Sequence, residues 1–440
     1  MYTPARFVVI DDNPTHLHAI KTTIESLGST CLDVLYRPEE EISPFLLRGA
    51  RVVFMDFHLS GLTFASDPKM DNATIASILT STISESNQPY LLVIWTKFPD
   101  QAAQLEQFLR DRLAKSPHVI PMAVLCISKD TFINIDSGEV QDPEQLRAEV
   151  SLKIREHPSL AALLDWEYTV HKSASRISSK LTGLIPNQAF SAGTTRSELD
   201  IVLSRFAVSN GKSGALTDPR SAFAYAVGPL LADEILHADE GKDNRDVWQK
   251  GTTQAANQLP ALSDVDAARF NRMAHISPPS AESFSSSDWG AVVRIEEENE
   301  AWFRRYLDLT PEEVWECLGV DVKEREDAVL VMVRAGAQCD FAQQKSGPVP
   351  YLVGGLVRPR KTWKKKPAAS VKRSVSFLNN VDTEEESMYQ LHVDTRLSVT
   401  FTTRYAKRWA PVLRLREPLM SQILSLHGTH STRPGILQFR

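Results

Sequence analysis

Asp11 and Asp12 close the apolar run Phe7-Val8-Val9-Ile10, and Asp56 closes a second, Val52-Val53-Phe54-Met55. Thr96 follows Leu91-Leu92-Val93-Ile94-Trp95, and Lys129 follows Val124-Leu125-Cys126-Ile127-Ser128. Carboxylates, a hydroxyl and an ammonium brought to one crevice suit a divalent cation and a phosphoryl group. Mg²⁺ takes oxygen ligands and keeps several waters, so one or two carboxylates plus substrate oxygens suffice to hold it. Asp11 and Asp12 stand where such a site would form, with Asp56 as a further ligand and as the nucleophile. A carboxylate attacks a phosphoryl group when their charge repulsion is neutralised, here by the cation on one side and Lys129 on the other. Thr96 would hydrogen-bond a phosphoryl oxygen. Catalysis in such a site is mostly positioning and charge stabilisation.

Convergence of these residues depends on the elements that carry them. Continuous apolar runs are the signature of parallel strands buried on both faces, and open α/β sheets gather functional groups at the carboxyl ends of their strands. Residues 14–27 read as a helix with Leu17, Ile20, Ile24 and Leu27 on one side, Pro14 near its start and Gly28 at its end. Residues 31–36 read as a strand and 39–47 as a short helix. A loop is expected over 60–72, then helices over 72–83 and 101–113. This βα alternation predicts a doubly wound parallel sheet over residues 1–157.

The set Ile10-Asp11-Asp12, Met55-Asp56-Phe57-His58-Leu59-Ser60-Gly61, Trp95-Thr96 and Ser128-Lys129 resembles the receiver domain of bacterial response regulators. The resemblance covers roughly residues 5–157, about a third of the chain. It implies a flavodoxin-like fold with strand order 2-1-3-4-5. Asp56 would be the phospho-acceptor, and Asp11, Asp12, Asp56 and the backbone carbonyl of His58 would hold Mg²⁺. Thr96 would be the switch hydroxyl, and Lys129 would contact the phosphoryl group. Lys97 stands where receivers carry a small residue, Asp130 where they carry proline, and Leu59-Ser60-Gly61 replaces Met-Pro-Gly; the spacings from Asp56 to Thr96 and from Thr96 to Lys129 are long for the family. These departures resemble a divergent response receiver branch of bacterial conflict and anti-phage systems, in which a helical and a C-terminal domain follow.

The remaining chain changes character. Helices are expected over 160–184, 197–208, 220–238, 245–258, 264–274 and 293–307, giving a helical domain at 158–325. Strands are expected over 328–335, 351–357, 374–378 and 397–402, with a closing helix over 413–426, giving a β-rich output or docking domain at 326–440. Arg358, Arg360, Lys361, Lys364, Lys365, Lys366, Lys372 and Arg373 surround Trp363. Such a patch serves nucleic acid or an acidic partner, or is a solvated hairpin paired with Glu384-Glu385-Glu386. Asn210-Gly211-Lys212-Ser213-Gly214 lacks the first glycine of a phosphate loop and reads as a connection between helices. Cys339-Asp340-Phe341-Ala342-Gln343 resembles Cys-Asp-x-Ala-Gln segments of defence-associated proteins, with no reaction attached. His16 and His18, two residues apart, do not share a helix face and read as surface residues.

At 440 residues, two or three domains are expected. A net charge of −6 disfavours wholesale nucleic-acid binding. The four cysteines are far apart and form no CxxC pair, as expected of reduced thiols. No signal-peptide pattern or membrane-spanning run is seen, so the cytoplasm is the expected location, without a membrane partner. The chain therefore reads as a phospho-accepting protein of a two-component phosphorelay, served by a partner histidine kinase and acting on its own C-terminal part or a separate effector. Its only expected catalysis is self-phosphorylation and dephosphorylation of Asp56. The alternatives are a pseudo-receiver scaffold and a nucleic-acid-binding effector using residues 358–373.

Overall fold

Successive apolar residues of the N-terminal strands point to opposite faces, and both faces are covered. Ile10, Met55 and Ile94 pack on one side with Ile75 and Leu79 of the helix Pro68–Thr82 and with Leu105 and Leu109 of Ala102–Arg112. Val9, Phe54, Val93 and Trp95 pack on the other with Leu17, Ile20 and Ile24 of Pro14–Ser26 and with Leu146 and Val150 of Pro143–Arg155. The strands are β1 (Phe7–Asp11), β2 (Cys31–Leu35), β3 (Val52–Asp56), β4 (Leu91–Thr96) and β5 (Ala123–Ser128). They form a parallel sheet in the order β2-β1-β3-β4-β5. The order places β3 at the centre between β1 and β4, with β5 at the edge beside β4.

This computed structural model describes residues 5–26, 28–59, 68–96, 102–134, 137, 139–238, 242–252, 259–277, 284–295, 300–325, 327–343, 347–361, 363, 367–379 and 386–431. The chain forms two compact units, Met1–Ala174 with His237–Ala255, and Ser175–Leu236 with Ala256–Arg440. The division falls inside the helix Pro158–Thr182. In the first unit the helix Lys242–Thr252 is tied to Pro158–Thr182 by Trp248 Nε1–H donating to Asp165 Oδ2 (2.8 Å) and by Ser159 Oγ donating to the Gly251 carbonyl (3.2 Å).

The second unit combines the helices Asn187–Ala192, Thr195–Gly211 and Pro219–Leu236 with an eight-stranded antiparallel sheet. Its strands are β6 (Ile276–Ser277), β7 (Ala291–Arg294), β8 (Val329–Arg334), β9 (Pro348–Val357), β10 (Val371–Arg373), β11 (Phe377–Asn379), β12 (Ser387–Thr402) and β13 (Pro411–Leu415). One face carries Leu419, Met420 and Ile423 of the closing helix Glu417–Ser431. The other carries Trp302 and Phe303 of Glu300–Leu307 and Val314 and Trp315 of Pro311–Cys317.

Two expected helices are corrected. Over 293–307 the chain first completes β7 at Arg294, with Val292 and Val293 buried between β8 and β13, and is helical over Glu300–Leu307. Over 413–426 it first forms β13, and the helix starts at Glu417 with Pro418 in its first turn, a position where proline's missing N–H costs nothing. The β-rich architecture thus begins at Ile276, inside the segment expected to be helical.

Candidate functional site

Strand register brings the four strand ends together. Ile10 pairs with Met55, so Asp11 and Asp56 are the next residues of adjacent strands. Asp56 pairs with Trp95, and Thr96 pairs with Ser128. Lys129 opens the short helix Lys129–Phe132 directly after β5. Asp11, Asp56, Thr96 and Lys129 are all buried. The Lys129 ammonium lies 2.7 Å from Asp56 Oδ2 and 3.0 Å from Asp11 Oδ2. One carboxylate oxygen from each of Asp11, Asp12 and Asp56 falls within 4.8 Å of the others.

Local backbone contacts hold the acids in place. The Asn13 amide donates to Asp11 Oδ1 (2.9 Å), and the His58 amide faces Asp56 Oδ1 at 3.4 Å. This keeps the main chain of His58 at the edge of the acidic cluster. Burial pushes the Asp11 carboxyl up to about 6; Lys129 opposes the shift and the Asp56 charge adds to it. Two buried carboxylates therefore share one ammonium, with the half-buried Asp12 carboxylate beside them. An all-oxygen donor set with surplus negative charge fits a hard divalent cation such as Mg²⁺.

Asp11, Asp12, Asp56 and Lys129 are thus brought into one cluster, with Thr96 buried at the neighbouring strand end. Lys97, Ser60 and Gly61 lie outside the described residues. The expectation for His16 is corrected: it is buried on the sheet-facing side of its helix, whereas His18 is exposed. One pairing beside the site was not foreseen. His58 Nδ1 lies 3.0 Å from Oδ2 of Asp71, a buried acid in the first turn of Pro68–Thr82. An acid in a first helical turn is favoured by the helix dipole alone, which hides any second role in the sequence.

Elsewhere the singled-out motifs take structural positions. Trp363 is engaged on its ring by Arg373 (guanidinium carbon 4.7 Å from the centroid) and by His392 (ring centroids 4.7 Å apart). Arg358 stacks on Tyr389 at 4.8 Å and pairs with Asp327 at 3.4 Å. Glu386 pairs with Arg272; Lys364, Lys365, Lys366, Glu384 and Glu385 lie outside the described residues. Gly211 and Gly214 are packing glycines: a Cβ on the first would meet the Ala222 Cβ at 2.7 Å, and on the second the Ala342 carbonyl oxygen at 2.8 Å. No helix among the described residues is long and apolar enough to cross a membrane. Comparison with family models, with curated proteins and with solved structures finds no match for the chain.

Proposed function

We propose that residues 5–157 are a receiver of flavodoxin-like fold that accepts a phosphoryl group on Asp56 from a partner histidine kinase. The observation that carries this reading is the Lys129 ammonium bridging Asp56 and Asp11 at 2.7 and 3.0 Å beside a cluster of three carboxylates. Asp56 presents a carboxylate oxygen that forms the new bond to phosphorus as the bond to the donor's leaving group breaks. Lys129, already at the attacking carboxylate, pairs with the phosphoryl oxygens as charge moves onto them. Asp11 and Asp12, with the His58 carbonyl, hold Mg²⁺, which when bound supplies the charge neutralisation that lets an anion approach an anion. Thr96, one residue past the strand partner of Asp56, donates its hydroxyl to the phosphorylated group, and that contact biases the neighbouring surface toward an effector or the C-terminal unit.

The test is intact-mass measurement after incubation with a small acyl phosphate and Mg²⁺, beside Asp56→Asn. One phosphoryl adduct on the wild type, absent from the variant and from samples held in EDTA, is expected. No adduct, together with no Mg²⁺ binding by calorimetry, would leave a scaffold acting by protein contact.

A further inference from the structure

The second unit contains a cavity of about 1030 Å³ that plays no part in the reading above. Four cationic side chains reach it from three elements: Arg334 from the end of β8, Arg414 from β13, and Arg404 and Lys407 from the turn of helix after β12. They are graded in depth. Arg404 and Lys407 are exposed at the mouth, Arg414 is half-buried, and Arg334 is only 5% exposed. Arg334 gives one N–H to the Ala335 carbonyl, but its Nε has no hydrogen-bond partner among the described residues. A guanidinium is seldom buried without a partner for its donors, and burial already weakens its hold on the proton.

Acids also line the cavity. Three acids stand against the four cations: Asp218, whose Oδ1 accepts the Ser221 amide (3.0 Å) at the start of Pro219–Leu236, Asp288 and Asp340. Burial pushes the Asp288 carboxyl upward, toward its neutral form. The balance in the cavity is therefore positive. Aromatic surfaces also line the cavity. Tyr225 and Phe341 meet edge to face with centroids 6.2 Å apart, and Trp289 is anchored by its indole N–H on the Gly336 carbonyl (3.1 Å).

We propose that this cavity binds a small organic phosphate of nucleotide size, its anionic group on Arg334 and Arg414 and its ring against Tyr225 and Phe341. Arg404 and Lys407 draw the anion in at the mouth. A guanidinium suits this task because its fork of N–H groups matches two phosphate oxygens at once. A cavity of this size exceeds what inorganic phosphate needs and matches that of small-molecule sites that combine apolar walls with a few convergent polar groups. The assignment also gives the Cys-Asp-x-Ala-Gln segment a place: Asp340, Phe341 and Ala342 form one wall.

Calorimetric titration of the full chain with ATP, and separately with pyrophosphate, tests this. EDTA is present throughout, so that a metal-bound nucleotide at the Asp56 cluster does not contribute. Saturable ATP binding is expected, weakened at least tenfold by the exposed change Arg404→Glu and by Arg414→Ala, with pyrophosphate binding at least tenfold weaker than ATP. Tyr225→Ala is expected to bring ATP down toward pyrophosphate. The proposal is overturned by no ATP binding to the wild type, by binding indifferent to both arginine changes, or by pyrophosphate binding as tightly as ATP. Asp56→Asn binds ATP like the wild type if the cavity is the site, so failure of the receiver reading and failure of this one are told apart.

Discussion

At the residue scale, the candidate site is a charge problem solved by one lysine. Lys129 is buried against Asp11 and Asp56, and removing one member of a buried charged set leaves the others uncompensated, a loss of about 3–5 kcal/mol. Lys129→Met is therefore expected to lower the stability of the N-terminal unit in EDTA by roughly 3 kcal/mol, read by urea denaturation. Mg²⁺ recovers part of that loss, because the cation supplies the missing positive charge. Adding Asp56→Asn to Lys129→Met also recovers part of it, since the double variant has one fewer anion to offset. Equal losses in EDTA and in Mg²⁺ would show that the carboxylates do not hold a cation. The chemistry of these positions was legible because each ends an apolar run that can only be a buried strand. The His58–Asp71 pairing was not, since nothing in a spacing of thirteen residues brings the two side chains together.

At the element scale, β12 carries a buried histidine that makes stability depend on pH. His392 is fully buried, Nδ1 donates to the Leu318 carbonyl (3.2 Å), and the ring meets Trp363 at a tilt of 60° with Arg373 as its cross-strand neighbour. Burial first, and the Arg373 charge second, push its pKa down from 6.5 to about 4. The unfolded chain therefore binds a proton between pH 6.5 and 4 that the folded chain refuses. Stability from neutral His392 is complete above pH 6.5 and is lost as pH falls toward 4, by about 3 kcal/mol in total. Denaturation of wild type and His392→Gln at pH 7 and pH 4.5 isolates this contribution, because other titrating groups cancel in the difference. Identical pH slopes for the two proteins would rule the account out. The same element shows where sequence reading runs short. Residues 397–402 are apolar enough to be read as a strand, but β12 begins at Ser387, where its residues pair with β11 and β9. Polar residues such as His392 and Asp394 are buried there through tertiary contacts, so local propensity understates the strand. The parallel strands β1, β3, β4 and β5 carry no such ambiguity, being apolar throughout and ending in their polar residue.

At the scale of the whole molecule, the acidic cluster belongs to one compact unit and the cavity to the other. Each unit has its own cores, on the two faces of its own sheet. A chain built this way is not expected to unfold in a single two-state step. A ligand that binds only folded protein stabilises the unit that holds it by RT ln(1 + [L]/Kd), about 2.7 kcal/mol at a hundredfold excess over Kd. In scanning calorimetry Mg²⁺ is therefore expected to raise one transition and leave the other in place. Asp56→Asn weakens that shift, while Arg414→Ala, in the other unit, does not touch it. ATP in EDTA is expected to raise the second transition alone, and there the two variants exchange roles. The design separates four possibilities with one instrument, because each ligand has its own transition and each variant its own ligand. A single transition that moves as a whole with either ligand would mean that the two units unfold cooperatively.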